Sequence, residues 1–303
     1  MHRPHRGRLV RDRRSRRYSP LLRRTSALAL SLAATACSPL LMFNAVMPKD
    51  GGVRVAGRDL AYGADPRQKL DVYVPAGAGP GLRPLIVFFY GGSWNSGVKN
   101  GYGFVGRALA ARGFVVAIPD YRLVPQVRFP GFLEDNAAAV RWLRAHADRY
   151  GADPDRIVLA GHSAGAYNAA MLALDPQWLG PDRRAVRGLI GLAGPYDFLP
   201  LDGPVTRAAF GNAADAAATQ PVNFARHDTP PALLATGDKD TTVLPRNSDE
   251  LAARLAAAGV PVTRARYPGV GHAGLVTAIA RPLRGKAAVL EAMAAFARQV
   301  THD

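Results

Sequence analysis

Cysteine is almost missing from this chain, with one in 303 residues, at position 37. A single thiol excludes an internal disulfide and any zinc or iron–sulfur centre built on several cysteines. Long apolar runs are missing as well. A clean spanning helix needs about 20 mainly apolar residues. The one stretch that approaches this, running on from Thr25, is interrupted by Pro39 and Asn44. No internal repeat and no linker divides the body. Acidic residues are scarce beside basic ones, 23 against 39, and the formal charge is +16. That balance first suggests a nucleic-acid partner. Its distribution argues against one. Residues 1–24 hold ten arginines and one aspartate, a balance of +9, which leaves +7 spread over the remainder with no dense basic run and no interleaved aromatic motif. With 48% apolar and 20% charged residues, the chain can bury a sizeable core.

The N-terminus reads as an address. Arg3 to Arg24 form a basic segment, and Thr25 to Ala36 is uncharged and largely apolar, ending in small residues just before Cys37. This is the layout of a secretory signal. Ala34-Thr35-Ala36-Cys37 resembles a bacterial lipobox, with Ala34 where leucine is usual, so Cys37 is the candidate for lipidation. The expected organisation is a leader over 1–36, a tether over 37–49 and one domain over 50–303. The expected location is the bacterial cell envelope, with the membrane reached through an N-terminal lipid or an uncleaved apolar anchor. A cytoplasmic enzyme with a misassigned start is the alternative.

The body alternates strand and helix signals. Residues 51–59 and 68–74 form an entry hairpin, and Leu85 to Tyr90 is a continuous apolar run suited to a strand buried on both faces. Further strands are expected at 113–118, 156–160, 186–192, 232–236 and 262–267. Helices are expected at 104–112, 132–150, 163–174, 249–258 and 285–300. Such alternation predicts an α/β domain whose mostly parallel sheet is covered by helices on both faces. Residues 194–229 lack clear periodicity and are expected to form a small excursion.

The chemistry centres on Gly161-His162-Ser163-Ala164-Gly165, placed between an apolar strand and an Ala-rich helix. That context fits a G-x-S-x-G elbow, whose tight turn lifts the serine hydroxyl above the sheet edge. A serine needs a base, and the base an orienting acid. Asp240, in the loop after the strand ending near Gly237, is the expected acid, with Asp238 its rival. His272, on a glycine-rich loop after the last strand, is the expected base. Oxyanion donors are expected from the N–H groups of Ala164, Gly92 and Ser93.

These motifs resemble the α/β-hydrolase superfamily, esterase/lipase group. The resemblance rests on YGGSW at 90–94, DYRL at 120–123, EDNAAAVRWL at 134–143, DPDRIVLAGHSAG at 153–165, GPYD at 194–197, GDKDTTV at 237–243 and GVGH at 269–272. It is nearest the hormone-sensitive-lipase-like, carboxylesterase and kynurenine-formamidase-like branches, with a feruloyl-esterase-like oxyanion loop. It implies hydrolysis of carboxylic esters, or of aryl formamides, through an acyl-enzyme on Ser163, with Asp240 as acid and His272 as base, and without metal or organic cofactor. The expected partner is a small-molecule ester or amide. Tyr90 stands where the group usually has histidine and is expected to brace the loop through its hydroxyl. Tyr90, Gly91, Trp94, Phe198 and Phe210 are the candidate pocket residues. Arg122, Glu134 and Asp135 are expected to pair, and Asp197 to cap its own turn. A catalytically inactive fold used for binding is the non-enzymatic alternative, disfavoured because all three triad residues are present.

Overall fold

The computed structural model describes residues 39–77, 79 and 81–302. The leader over 1–36 and Cys37 lie outside the described residues.

Eight strands form one sheet: β1 Val53–Ala61, β2 Lys69–Pro75, β3 Arg83–Phe89, β4 Val115–Pro119, β5 Ala152–His162, β6 Val186–Leu192, β7 Ala232–Gly237 and β8 Val262–Tyr267, in the order β1-β2-β4-β3-β5-β6-β7-β8. β1 and β2 pair antiparallel, and β2 joins β4 antiparallel; every other pairing is parallel. The helices are α1 Pro39–Val46, α2 Gly103–Ala110, α3 Gly131–Ala145, α4 Ala164–Leu174, α5 Pro176–Leu179, α6 Pro204–Phe210, α7 Arg246–Ala257, α8 His272–Thr277 and α9 Val289–Thr301. α2 and α9 pack together against one face of the sheet, and α3, α4 and α5 form a group on the other. The mostly parallel, two-sided α/β layout expected from the alternation is the layout found.

The burial pattern explains the order. All of β4 and β7 is buried, as is Leu85 to Phe89 of β3, whereas β1 and β8 at the sheet edges are only partly covered. Unbroken apolar runs need cover on both faces and take the centre. Phe88 and Phe89 are fully enclosed; truncating either to alanine should cost about 3–5 kcal/mol. α4 is buried along its whole length, which its run of alanines and small residues permits.

Three stretches differ from expectation. Residues 39–46, expected within a tether, form α1, which packs on the short 3₁₀ turn Lys99–Tyr102 and stacks Phe43 edge-on against Phe104 at 5.2 Å. The long helix expected at 132–150 ends at Ala145 and continues as a 3₁₀ turn, closed by Gly151 in the left-handed region at φ 67°. The last helix starts only at Val289, after a 3₁₀ turn over Arg281–Lys286 that includes a proline. Among the described residues, no helix is long and apolar enough to cross a membrane.

Candidate active site

Ser163 stands between the end of β5 and the start of α4, with φ 55° and ψ −124°. This backbone is strained for a residue with a side chain, and the close packing around it holds the turn. A Cβ on Gly161 would lie 2.2 Å from the Gly165 carbonyl oxygen, and one on Gly165 would lie 2.0 Å from that of Phe89. Strand and helix can meet this closely only because both positions are glycine.

The Ser163 hydroxyl donates to His272 Nε2 at 2.9 Å, and His272 Nδ1–H donates to Asp240 Oδ2 at 2.7 Å. The hydrogen-bond network itself assigns this tautomer. Asp240 is buried, and its other oxygen accepts from the backbone N–H groups of Thr242 and Val243, both at 2.9 Å. Those bonds fix the orientation of the carboxylate. Asp238, the rival, points elsewhere: it is exposed and accepts from Gly269 N–H at 2.7 Å, tying two loops together. The same loops cross at Gly237, where a Cβ would lie 1.9 Å from the Val270 carbonyl oxygen. His272 is not in a loop but opens the short helix α8, with Gly271 as its N-cap.

Gly92 and Ser93 adopt φ 135° and 53°. Among the described residues, their N–H groups and that of Ala164 meet no acceptor. Ser93 and Ala164 line a cavity of about 330 Å³ together with Ser163. Trp94, Pro195, Phe198, Val243 and Leu244 supply its apolar walls, and Asp202 and Arg246 add charge to its lining. Of the candidate pocket residues, then, Trp94 and Phe198 line the cavity. Tyr90, Gly91 and Phe210 do not. Phe210 is buried in an aromatic cluster, 4.7 Å from the Trp94 ring and 5.7 Å from Phe132, and holds the excursion to the domain. Gly91 lies against the elbow, where a Cβ would come within 2.9 Å of Ser163 Cβ. Trp94 serves packing as well: its indole N–H donates to Asn168 Oδ1 at 3.1 Å.

Tyr90 is fully enclosed and stacks on Tyr121 at 4.8 Å. Its hydroxyl accepts from Arg67 Nη2 at 2.8 Å; the same nitrogen reaches the Gly97 carbonyl at 3.0 Å, and Arg67 Nε donates to the Tyr121 carbonyl at 2.9 Å. Burial pushes the Tyr90 phenol well above its ordinary pKa, so the hydroxyl stays neutral. On the other side, Gly91 N–H donates to the Tyr102 hydroxyl at 3.1 Å. Neither Arg67 nor Tyr102 belongs to a motif, and no local signal marks them.

His162 points away from Ser163 into the interior. Its Nε2 lies 3.3 Å from the His272 carbonyl oxygen, so the proton sits on that nitrogen. Burial, aided by the neighbouring His272, lowers its pKa to about 3. Arg122 pairs with Asp135 as expected, through Nε and Nη2 at 2.9 and 2.7 Å, while Glu134 is exposed and makes no ion pair among the described residues. Asp197 does not cap its own turn. The buried Asn247 does, its Oδ1 accepting from Tyr196 and Asp197 N–H at 2.9 Å each. A residue of α7 thus fixes a loop 50 positions away, which spacing does not reveal.

Comparison with known families places the chain by sequence and by fold. The sequence model of the BD-FAE family matches residues 70–255, well over half of the chain. The chain belongs to the BD-FAE family. Its fold is that of the α/β-hydrolases, esterase/carboxylesterase-like. Esterase LipC of Mycobacterium tuberculosis is 31% identical over 240 residues, covering 71% of this chain and 59% of that protein. A probable isoprenylcysteine alpha-carbonyl methylesterase of rice, Oryza sativa subsp. japonica, is 41% identical over 117 residues, covering 39% of this chain and 27% of that one. This BD-FAE chain therefore spans less than two thirds of either relative. Among solved structures, Thermogutta terrifontis esterase 2 phosphoramylated by tabun superposes with a TM-score of 0.67 at 26% identity, covering 84% of this chain and 96% of that one.

Proposed function

We propose that this protein is a serine esterase that hydrolyses small carboxylic esters through an acyl-enzyme. The observation that carries this reading is the continuous bond chain from Ser163 through His272 to Asp240, opening on a cavity with unpaired N–H groups. Ser163 Oγ attacks the ester carbonyl carbon while its proton passes to His272 Nε2. Asp240 stabilises the imidazolium so formed. The carbonyl oxygen, now negative, is received by the N–H groups of Ser93 and Ala164, with Gly92 beside them. The C–O bond then breaks, and the alcohol leaves with the proton from His272. Water repeats the sequence and releases the acid and free Ser163. The names of the relatives, all esterases, support the same chemistry.

The cavity, about 330 Å³ with mainly apolar walls, suits a short acyl or an aryl group. The charged residues lining it and the polar excursion do not suit a long-chain triglyceride. A panel of p-nitrophenyl esters of graded length, a feruloyl ester and N-formylkynurenine tests this. Turnover should be greatest on the short or aryl esters, and Ser163→Ala should abolish it. An organophosphonate should label wild type at Ser163. Ester turnover by a clean Ser163→Ala preparation at the wild-type rate would sink the mechanism, and preference for the formamide would move the substrate class.

The basic-then-apolar layout of residues 1–36 supports export in a bacterium, and the lipobox-like run supports a lipid on Cys37. Both are proposed on sequence alone.

A further inference from the structure

We propose that the cavity between α1 and α2 binds a phosphate ester. It has a volume of about 410 Å³, and α1 contributes Leu41, Met42, Asn44 and Ala45 to its lining. Lys49, Arg58 and Arg107 line it, joined by Asn44, Asn100 and Tyr73, and no carboxylate does. Three cations around one space normally draw in an acid. Here the nearby acids each hold a cation outside the cavity lining, although Asp71 Oδ2 keeps no partner of its own. Asp59 and Asp71 both hold Lys99, at 2.7 and 2.8 Å, and Asp50 holds Arg284 at 2.6 Å.

The cations keep donors free. Arg107 makes one long bond, to the Val53 carbonyl at 3.4 Å, and Lys49 caps the end of α1 by donating to the carbonyls of Asn44 and Met47. The Arg58 side chain is exposed and makes no salt bridge or hydrogen bond to any described residue, though its charge reaches the neighbouring Asp59. The cations also feel one another: burial and then the Arg107 guanidinium hold the Lys49 ammonium below its ordinary pKa. An anion between them would remove that repulsion. Two guanidinium forks and one ammonium match the several oxygens of a phosphate better than the two of a carboxylate. The space exceeds what bare phosphate fills, so the group is taken as an ester.

Such an ester comes from a lipid headgroup or from a soluble metabolite. α1 carries no charged residue, and Met42 and Val46, one turn apart, are 56% and 68% exposed. An apolar edge beside a cationic pocket suits a membrane surface bearing anionic headgroups.

The test uses the full chain, so the leader arginines contribute one common background. Inorganic phosphate is titrated calorimetrically into wild type, Arg58→Ala and the pair Arg58→Ala/Arg107→Gln. Binding should weaken at least about tenfold in the pair, the effect expected when charge-assisted bonds are lost, with thermal unfolding of Arg58→Ala unchanged. Cosedimentation with phosphatidylglycerol and phosphatidylcholine vesicles then separates the sources. If the pair and Val46→Ser, which lies outside the pocket lining, both lose the phosphatidylglycerol preference, the ester is a headgroup. If only the phosphate titration falls, the site takes a soluble phosphate ester. Equal phosphate binding by wild type and the paired variant would overturn the proposal.

Discussion

Two aspartates lie two residues apart after β7, and the structure gives them different duties. Asp240 meets His272, the proposed base, while Asp238 ties Gly269 from an exposed position. Asp240→Asn should therefore lower kcat by roughly 10³–10⁴, as loss of the orienting acid does in a serine triad. Asp238→Asn should cost far less, since its bond is a surface loop contact. Steady-state kinetics on one activated ester decides it; equal losses in two folded variants would mean that the wrong carboxylate was assigned. His162 gives a prediction of another kind. Its folded pKa is about 3, below the unfolded value of about 6.5. Well above pH 6.5 neither state is protonated, and nothing depends on the group. Between the two values the unfolded chain takes up a proton that the folded one refuses, so stability falls as pH falls. The slope from this group alone approaches 1.4 kcal/mol per pH unit, roughly. Denaturant titrations from pH 7 to 4 should show a steeper acid decline for wild type than for His162→Asn, and parallel curves would contradict the burial argument.

At the scale of elements, the parts legible in the sequence are the local ones. β3 to β7 announce themselves as apolar runs, and the elbow carries its strand, turn and helix in one unbroken stretch, the end of β5 running through Ser163 into α4. α8 is hidden because HAGLVT after two glycines gives no helical period. α1 is hidden because its apolar residues read as a continuation of the leader. The brace of the loop after β3, the proposed oxyanion loop, is hidden for a different reason, since Arg67 reaches Tyr90 across 23 positions and Tyr121 across 54. Such contacts exist only after the sheet has formed. Arg67→Ala leaves the Tyr90 hydroxyl and the Gly97 and Tyr121 carbonyls without their donor, which costs about 1–3 kcal/mol for each one left unsatisfied. The loop that presents Gly92 and Ser93 is then less well held. An oxyanion exists only beyond the ground state, so kcat should fall, by about tenfold, while KM for a small ester stays near wild type. Arg67→Lys should restore little, because one ammonium cannot span three acceptors. A rise in KM with kcat intact would mean that Arg67 shapes the pocket and not the oxyanion loop.

At the scale of the whole molecule, charge and address are linked. The chain carries +16, of which the ten arginines and one aspartate of residues 1–24 account for +9. An export signal cleaved before Cys37 would remove that run and leave a body near +7, charge enough for solubility but without the dense basic tract that nucleic acid requires. A diacylglycerol thioether on Cys37 with an N-acyl chain would supply several apolar tails, where a single chain gives only marginal anchoring. Only Ser38 would then separate the lipidated Cys37 from α1, which begins at Pro39 and packs on the domain. So short a spacer would hold the body close to the bilayer instead of letting it swing on a long tether. Cys37→Ser should convert a cleaved, membrane-bound product into an unprocessed or soluble one, with ester turnover unchanged because Ser163, Asp240 and His272 lie far along the chain. Intact-mass measurement of the protein from native membranes checks this. A wild-type N-terminal peptide that begins at Met1, without acyl groups and recovered from the cytosol, would end the lipoprotein reading and leave the basic run as part of the working protein. Binding to DNA at moderate salt, compared between the full chain and a chain lacking residues 1–36, would then show whether that run has a partner of its own.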